Sequence, residues 1–561
     1  MYKLSMATIR KQKVGKHIYW QIIESKRVNG KPRPIVLMHL GTAEQLLYKL
    51  RGGTLKKKIR SASHGAVSLF WQNAKELDLP DIFKTHFAQQ LRDGLPPGTS
   101  LLLAAIHRAI EPGSKSAFAS WTKKTTLPEI AGFNPQRLTS QHFWEQMDTV
   151  TEAQLESVEK AITQKMLEQG LLSPRLLFYD LTNFFTHIST GNERAKLPQR
   201  GHNKQKRNDL RQFGLAQVVT KEFLIPVLSE VYEGNKTDEK MFVPTLTRLR
   251  NKLSELNLDV RELTIVFDKG SNSKGNFAEL DISEIPYVAS LTPSYHEDLL
   301  NVPLSSYHRV QLNGQEILCY RAQKEVWGKT RTIVVFMSEK LRQGQLQGLK
   351  QALSSKYEQL NKLKTKLTAK RARKRKREDV KRQIKDILNG ERCHLLIKTA
   401  LYETESGRFD LNWEIDQDAY RWTTENLFGK RILVTCRNNW SDAEIIAAYH
   451  GQSNVERVFK HLKNPYHNCV HPQYHWTDQK IRVHTFICLT GLLLSQVLHK
   501  KARDAGYNIS IEGLIDRLSE VRMVETVSIY SLNSKPVKET QLEEMDLELE
   551  KLYADLEKSV F

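Results

Sequence analysis

Residues 263–268 read Leu-Thr-Ile-Val-Phe-Asp, five apolar or β-branched positions closed by an aspartate. A short apolar run without alternation predicts a strand buried on both faces, and the aspartate then stands where that strand ends. Residues 176–180, Leu-Leu-Phe-Tyr-Asp, repeat the pattern. Between them, Gly214 to Val219 and Phe223 to Tyr232 read as two more strands, joined by a tight polar turn at Thr220-Lys221-Glu222. Thr237 is placed to cap a helix, with Asp238 and Glu239 in its first turn where the dipole favours them. That helix carries Phe242, Leu246, Leu249 and Leu253 on one stripe. A shorter helix and a strand, Tyr287 to Leu291, follow.

Three strands, a helix and a strand form the opening order of a ribonuclease H-like fold, which would set Asp180 and Asp268 on neighbouring strands. The order is interrupted from about Thr292 to Lys430 by strand-like runs (Arg309 to Tyr320, Arg331 to Met337, Arg392 to Tyr402) and one long charged helix. That helix is read as including the basic run Lys370 to Arg377, a solvated face or a phosphate-binding arm. Arg431 to Cys436 resumes the core as a strand.

Trp440 to Lys463 carries the most specific pattern. Ser441-Asp442-Ala443-Glu444 is a capping box, and Asn464-Pro465 is a stop signal. Gly451 is the weak point, at about 1 kcal/mol in a helix interior. On one continuous helix, Tyr449, Gln452, Glu456 and Lys463 would fall within roughly 60° of one another. Ala448, Val455, Phe459 and Leu462 form an apolar stripe beside them. An amphipathic helix explains the stripe but not the polar set.

That polar set resembles the tyrosine–arginine–glutamate–lysine signature of DDE-type bacterial insertion-sequence transposases. The resemblance implies a DNA transposase that binds the ends of a mobile element and catalyses metal-dependent cleavage and strand transfer. Asp180, Asp268 and Glu456 would be its catalytic carboxylates, holding two Mg²⁺ ions (Mn²⁺ substituting), with Asp180 bridging. Residues 200–207, Arg-Gly-His-Asn-Lys-Gln-Lys-Arg, and 233–238, Glu-Gly-Asn-Lys-Thr-Asp, are also similar to the family. Phosphate contacts are expected from Tyr449, Gln452, Lys463, Arg457, Arg200, Lys204, Lys206 and Arg207. Gln452 departs from the family's arginine, and the expectation is either that Arg457 or the Arg200–Arg211 cluster supplies the missing charge or that activity is reduced. A double-stranded DNA partner, carrying terminal inverted repeats and target, and a homodimer gripping two ends follow from the resemblance. The alternatives are a catalytically inactive DNA-binding derivative of the same fold and a metal-dependent nuclease without strand transfer.

The rest of the chain fits that frame. Of 561 residues, 85 are Lys or Arg and 63 Asp or Glu, and the resulting charge of +22 suits a polyanionic partner. Five scattered cysteines without a CxxC pair argue against a disulfide framework and a cysteine-rich zinc site. Residues 1–10 lack the apolar core of a secretory signal, and Val483 to Leu498 is short for a membrane span, so a buried helix and a cytoplasmic, nucleoid-associated protein are expected. No GxxxxGK[ST] motor motif occurs, and Leu181-Thr182 breaks the paired-aspartate pattern of phosphatases. His450, His461, His467, His471 and His475 lack ligand spacing and read as loop and surface histidines, while Trp422 and Trp440 read as packing.

The predicted fold class is an α/β catalytic core, a ribonuclease H-like mixed sheet with flanking helices, interrupted by a mainly β insertion. An N-terminal β-hairpin and a helical DNA-binding region precede it. The expected divisions are a basic β-hairpin unit at 1–60, the helical region at 61–172, core at 173–291 and 431–505, the insertion at 292–430 and a C-terminal helical region at 506–561. The hairpin rests on Asn29-Gly30, a type I′ turn signal, with Arg10, Lys11, Lys13, Lys16, Lys26, Arg27 and Lys31 around it. In the helical region, Thr139-Ser140 starts a helix through Phe143, Trp144, Met147 and Val150, and Glu539 to Lys558 is read as an acidic helix.

Overall fold

The computed structural model describes residues 7–28, 31–50, 56–89, 94–203, 205–369, 375–405, 407–529 and 536–559. Two compact units emerge, one formed by Met1–Val158, Asn464–Cys469 and Val483–Phe561, the other by Glu159–Lys463 and Val470–Arg482.

In the first unit, β1 (Ala7–Val14), β2 (His17–Val28) and β3 (Lys31–Gly41) make an antiparallel sheet in that order. Val28 pairs with Lys31, leaving a two-residue connection at Asn29-Gly30, which lies outside the described residues. The predicted hairpin is therefore the second half of a three-stranded meander. Helices follow from Gly65, as expected, and the Thr139 hydroxyl accepts the His142 amide at 3.3 Å to start the Ser140–Asp148 helix. Val150 falls just past that helix's end.

The Asp478–Asp504 helix holds the greasiest stretch, and 94% of its most apolar window is buried. The C-terminal acidic segment differs from the single helix expected. Val537–Leu542 is a strand paired to Arg522–Ile529, which in turn pairs with β4 (Lys56–Ser63). Helix begins only at Leu547, where the Asp546 carboxylate accepts the Leu549 amide.

In the second unit, the strands are β5 (Leu176–Thr186), β6 (Arg211–Thr220), β7 (Pro226–Glu233), β8 (Thr264–Phe267), β9 (Tyr287–Leu291), β10 (His308–Leu312), β11 (Gln315–Val326), β12 (Lys329–Met337), β13 (Ile397–Glu403), β14 (Phe409–Ile415) and β15 (Lys430–Thr435). Nine of them form one mixed sheet, ordered β10-β11-β12-β15-β9-β8-β5-β6-β7. β8 lies parallel to both β5 and β9, and the other neighbours are antiparallel. The shared apolar runs explain the parallel centre: β8 is buried at all four positions and β9 at all five. The Asp238–Glu255 helix buries Phe242, Leu246, Leu249 and Leu253 as its stripe requires.

Several local readings change. β5 continues through Asp180 to Thr186, because it pairs with β6 from Leu177 to Thr186. Phe223 and Leu224 are turn residues rather than strand, with φ of 57° and 56°. In the interruption, β10 to β12 extend the central sheet through the β12–β15 pairing, and only β13 and β14 form a separate two-stranded sheet. The long helix, Glu339–Thr368, ends before the basic run. Residues 370–374 lie outside the described residues, and Arg377 opens a separate helix ending at Leu388.

The predicted single helix of 441–463 is two: Asp442–Gln452 and Val455–Lys463. Its capping box forms as expected, the Ser441 hydroxyl accepting the Glu444 amide and the Glu444 carboxylate accepting the Ser441 amide. The break, at Ser453-Asn454, lies two residues past Gly451, whose carbonyl accepts the Asn454 amide at 2.9 Å. Tyr449 and Gln452 therefore sit on the first helix, Glu456 and Lys463 on the second, and the single-helix geometry does not apply.

Candidate active site

Register sets the first two carboxylates. Phe178 on β5 is level with Val266 on β8, so Asp180 and Asp268, each two residues further on, occupy one row and one face. Phe267 is level with Ala289 on β9, which brings Ser290 beside Asp268. The Ser290 hydroxyl donates to Asp268 Oδ1 in a short hydrogen bond and accepts the Lys269 amide at 3.1 Å. The Tyr449 hydroxyl reaches the same carboxylate oxygen at 3.4 Å, and Arg431 Nη1 donates to that hydroxyl at 3.0 Å. Asp180 Oδ1 accepts the Leu181 amide at 2.8 Å.

Asp180, Asp268 and Glu456 border one cavity of about 650 Å³, together with Gln452, Lys463, Lys460 and Lys269. They do not draw into one tight cluster, since the only Asp/Glu/His/Cys group with ligand atoms all within 4.8 Å among the described residues lies elsewhere. A larger cavity, about 750 Å³, belongs to the first unit and contains none of the expected catalytic residues. Chemistry rather than size selects the site.

The expected phosphate contacts divide. Lys463 lines the cavity and donates to Thr182 Oγ1 at 2.6 Å, two residues past Asp180. Tyr449 is buried at 7% exposure, with its hydroxyl turned to Asp268, so it acts on a carboxylate rather than on an open surface. Arg457 is exposed and does not border the cavity. Arg200, Lys206 and Arg207 are exposed outside it as well, and Arg207 is held in two 2.8 Å bonds by Asp209. Lys204 lies outside the described residues.

The same loop does reach the cavity, through His202, Asn203 and Gln205. Asn203 fixes it by accepting the Arg207 amide at 2.8 Å and donating to Gly201 and Arg207 carbonyls at 3.2 and 3.1 Å. Sequence reasoning also missed Asp238. This fourth carboxylate lines the cavity from the first turn of its helix, against the bare Cα of Gly270. The motif at 233–238 was its signal: the stretch is similar to the family, but its aspartate carried only a helix-start role. Ser290 had no signal except its place one strand over from Asp268.

The carboxylates leave an electrostatic trace on their neighbours. Burial, then the charges of Asp238, Asp180 and Glu230, push the Tyr232 pKa above its ordinary value. Burial and then the Asp268 charge do the same to Tyr449. A negative, oxygen-lined cavity of this kind suits hard divalent cations. Of the five histidines, His467 and His475 are buried rather than surface groups; His467 bonds the Ile110 carbonyl and Asp516, and His475 pairs with Gln473. Trp422 donates to Asn301 and Trp440 stacks under Arg437, both away from the cavity.

The chain belongs to the transposase DDE domain family, which matches residues 185–494. It is a DNA transposase, an enzyme that cleaves DNA and transfers its strands, and DDE transposase domains are metal-dependent. The match contains Asp268 and Glu456 and begins five residues after Asp180. A search of curated proteins returns no match. Among solved structures, piggyBac transposase in a synaptic complex with hairpin DNA is similar at 8% identity and a TM-score of 0.35, over 81% of this chain and 78% of that one.

Ser290→Ala removes the hydroxyl that orients Asp268. Cleavage is expected to fall about 10- to 100-fold, with the divalent-ion concentration for half-maximal rate rising. A rate unchanged at every ion concentration would show that Asp268 is fixed without it.

Proposed function

We propose that this transposase is of the bacterial insertion-sequence type with the tyrosine–arginine–glutamate–lysine signature, built on a ribonuclease H-like core. Asp180, Asp268 and Glu456 are its catalytic carboxylates and would hold two Mg²⁺ ions. The observation that carries this reading is that all three, from β5, the end of β8 and the Val455–Lys463 helix, border one cavity with Lys463. The chemistry such ions would supply when bound is activation of the attacking water or 3′-hydroxyl and stabilisation of the leaving oxygen. Ser290 and Tyr449 hold Asp268 in orientation, while Lys269, Lys460 and Lys463 offer point charges to the DNA phosphates. Asp238 supplements the negative field.

The chain works in the cytoplasm on the nucleoid as a homodimer gripping the two terminal repeats of an element, with the helical region at 61–172 and the basic hairpin contacting DNA. The inactive DNA-binding alternative rests on Gln452, which stands where an arginine is expected. Against it, cations still surround the site: Arg431 lies on Tyr449, 5.7 Å from its ring centre, and three lysines line the cavity.

The test incubates the full chain with duplexes bearing the element's ends and a plasmid target. Nicking at the element boundary and joined products should both appear with Mg²⁺ or Mn²⁺, vanish with EDTA and return on adding either ion in excess. Nicking without joining identifies a nuclease; binding with neither identifies the inactive derivative.

A further inference from the structure

A second cluster of ligating side chains sits where the sheet extension meets the start of the Asp442–Gln452 helix. His308 on β10 and Cys319 on β11 are cross-strand partners. His308 Nε2 lies 3.2 Å from Cys319 Sγ and 2.8 Å from Asp442 Oδ2, and Sγ lies 3.8 Å from that same oxygen. Cys319 is fully buried, Asp442 is 7% exposed, and the His308 side chain is half open to solvent. None of the three borders the cavity with Glu456.

We propose that His308, Cys319 and Asp442 form a zinc site, separate from the catalytic ions, that fastens this helix to the extended sheet. Tetrahedral zinc, with bonds of about 2.3 Å to sulfur and 2.0–2.2 Å to nitrogen and oxygen, sets its ligands roughly 3.3–3.7 Å apart. The observed separations are hydrogen-bond distances on either side of that range, 2.8 and 3.2 Å below it and 3.8 Å above it, so an ion would be accommodated by shifts of about 0.2–0.5 Å. A thiolate, an imidazole and a carboxylate are a borderline-soft set that suits zinc and not magnesium. The exposed side of His308 leaves the fourth vertex to water.

The surroundings match what a ligating carboxylate needs. Arg321 Nη1 takes the other oxygen, Oδ1, at 2.8 Å and also donates to the Trp440 carbonyl, while its Nη2 donates to the Asn438 carbonyl, each at 2.8 Å. It thereby fixes Asp442 and leaves Oδ2 directed at the thiol and imidazole. A histidine–aspartate hydrogen bond alone would explain two of the three groups. It gives no reason for a buried thiol to face both.

The site joins residues 11 and 123 positions apart in the chain. It lies at the start of the helix pair that carries Tyr449 and Glu456.

Zinc in the purified full chain, after dialysis against a weak chelator, is the first readout, and about one equivalent per chain is expected. His308→Ala, a change at an exposed side chain, and Cys319→Ser should each cut it at least tenfold, whereas Glu456→Gln and Asp180→Asn should retain it. Cobalt(II) added to chelator-stripped protein should give a near-ultraviolet thiolate-to-metal band that Cys319→Ser abolishes. Zinc-free parent protein with no thiolate band on adding cobalt overturns the site. So does zinc held equally well by His308→Ala, or zinc lost from Glu456→Gln instead. The readout is metal content, so it stands or falls independently of DNA cleavage.

Discussion

Glu456→Gln is expected to lower DNA cleavage by about three orders of magnitude or more, with the fold intact. The carboxylate is exposed at the first turn of the Val455–Lys463 helix and borders the cavity shared with Asp180 and Asp268. Glutamine keeps its shape and removes only the charge. A metal-assisted phosphoryl transfer draws several kcal/mol of charge stabilisation from its ions, and each 1.4 kcal/mol is about tenfold in rate. An exposed substitution away from the core shifts stability by roughly 0.5 kcal/mol at most, so Tm should stay within about 2 °C. Arg457→Gln is the control, next in sequence, exposed and outside the cavity; its rate should stay within about threefold of the parent. Parental cleavage by Glu456→Gln would remove the carboxylate assignment, and a large loss in Arg457→Gln alone would move the site to the other side of that helix.

The central sheet was legible because buried strands need continuous apolar runs, and Leu176 to Tyr179 and Leu263 to Phe267 have no other economical reading. Their parallel pairing puts Asp180 and Asp268 in one row, as the strand order implied. Readings failed where tertiary contact overrode local pattern. Glu539 to Leu542 has a helix-compatible composition, yet it is a strand because Arg522–Ile529 offers it an edge. Lys370 to Arg377 was joined to the preceding helix because charge periodicity carries no stop signal, whereas helix ends at Thr368. The hidden members of the site share one cause. Ser290 and Arg431 act through Asp268 and Tyr449, 22 and 18 residues away on other elements, and such proximity becomes visible only once the packing is known. Asp238 was explained too readily by the helix dipole, which is a sufficient local reason for a carboxylate and conceals a second one.

Gly451 gives the prediction whose sign separates local from tertiary reasoning. In an unencumbered helix, Gly→Ala stabilises by about 1 kcal/mol. Here a Cβ on residue 451 would stand 2.4 Å from Phe178 Cζ and 3.0 Å from Cε1. Phe178 is fully buried on β5, two residues before Asp180, so its ring has nowhere to retreat. Overpacking of this kind costs about 1–3 kcal/mol, which outweighs the propensity gain. The strain is relieved by lifting the helix from β5, and that moves the chain leading to Glu456 away from Asp180. A displacement of about 1 Å at reacting groups costs on the order of 10²-fold in rate. Gly451→Ala should therefore lower both Tm and cleavage, and Phe178→Leu, by shortening the ring that blocks the new methyl, should recover part of both losses in the double variant. A higher Tm with an unchanged rate in Gly451→Ala would mean that the helix does not press on β5 and that Glu456 owes its position to something else.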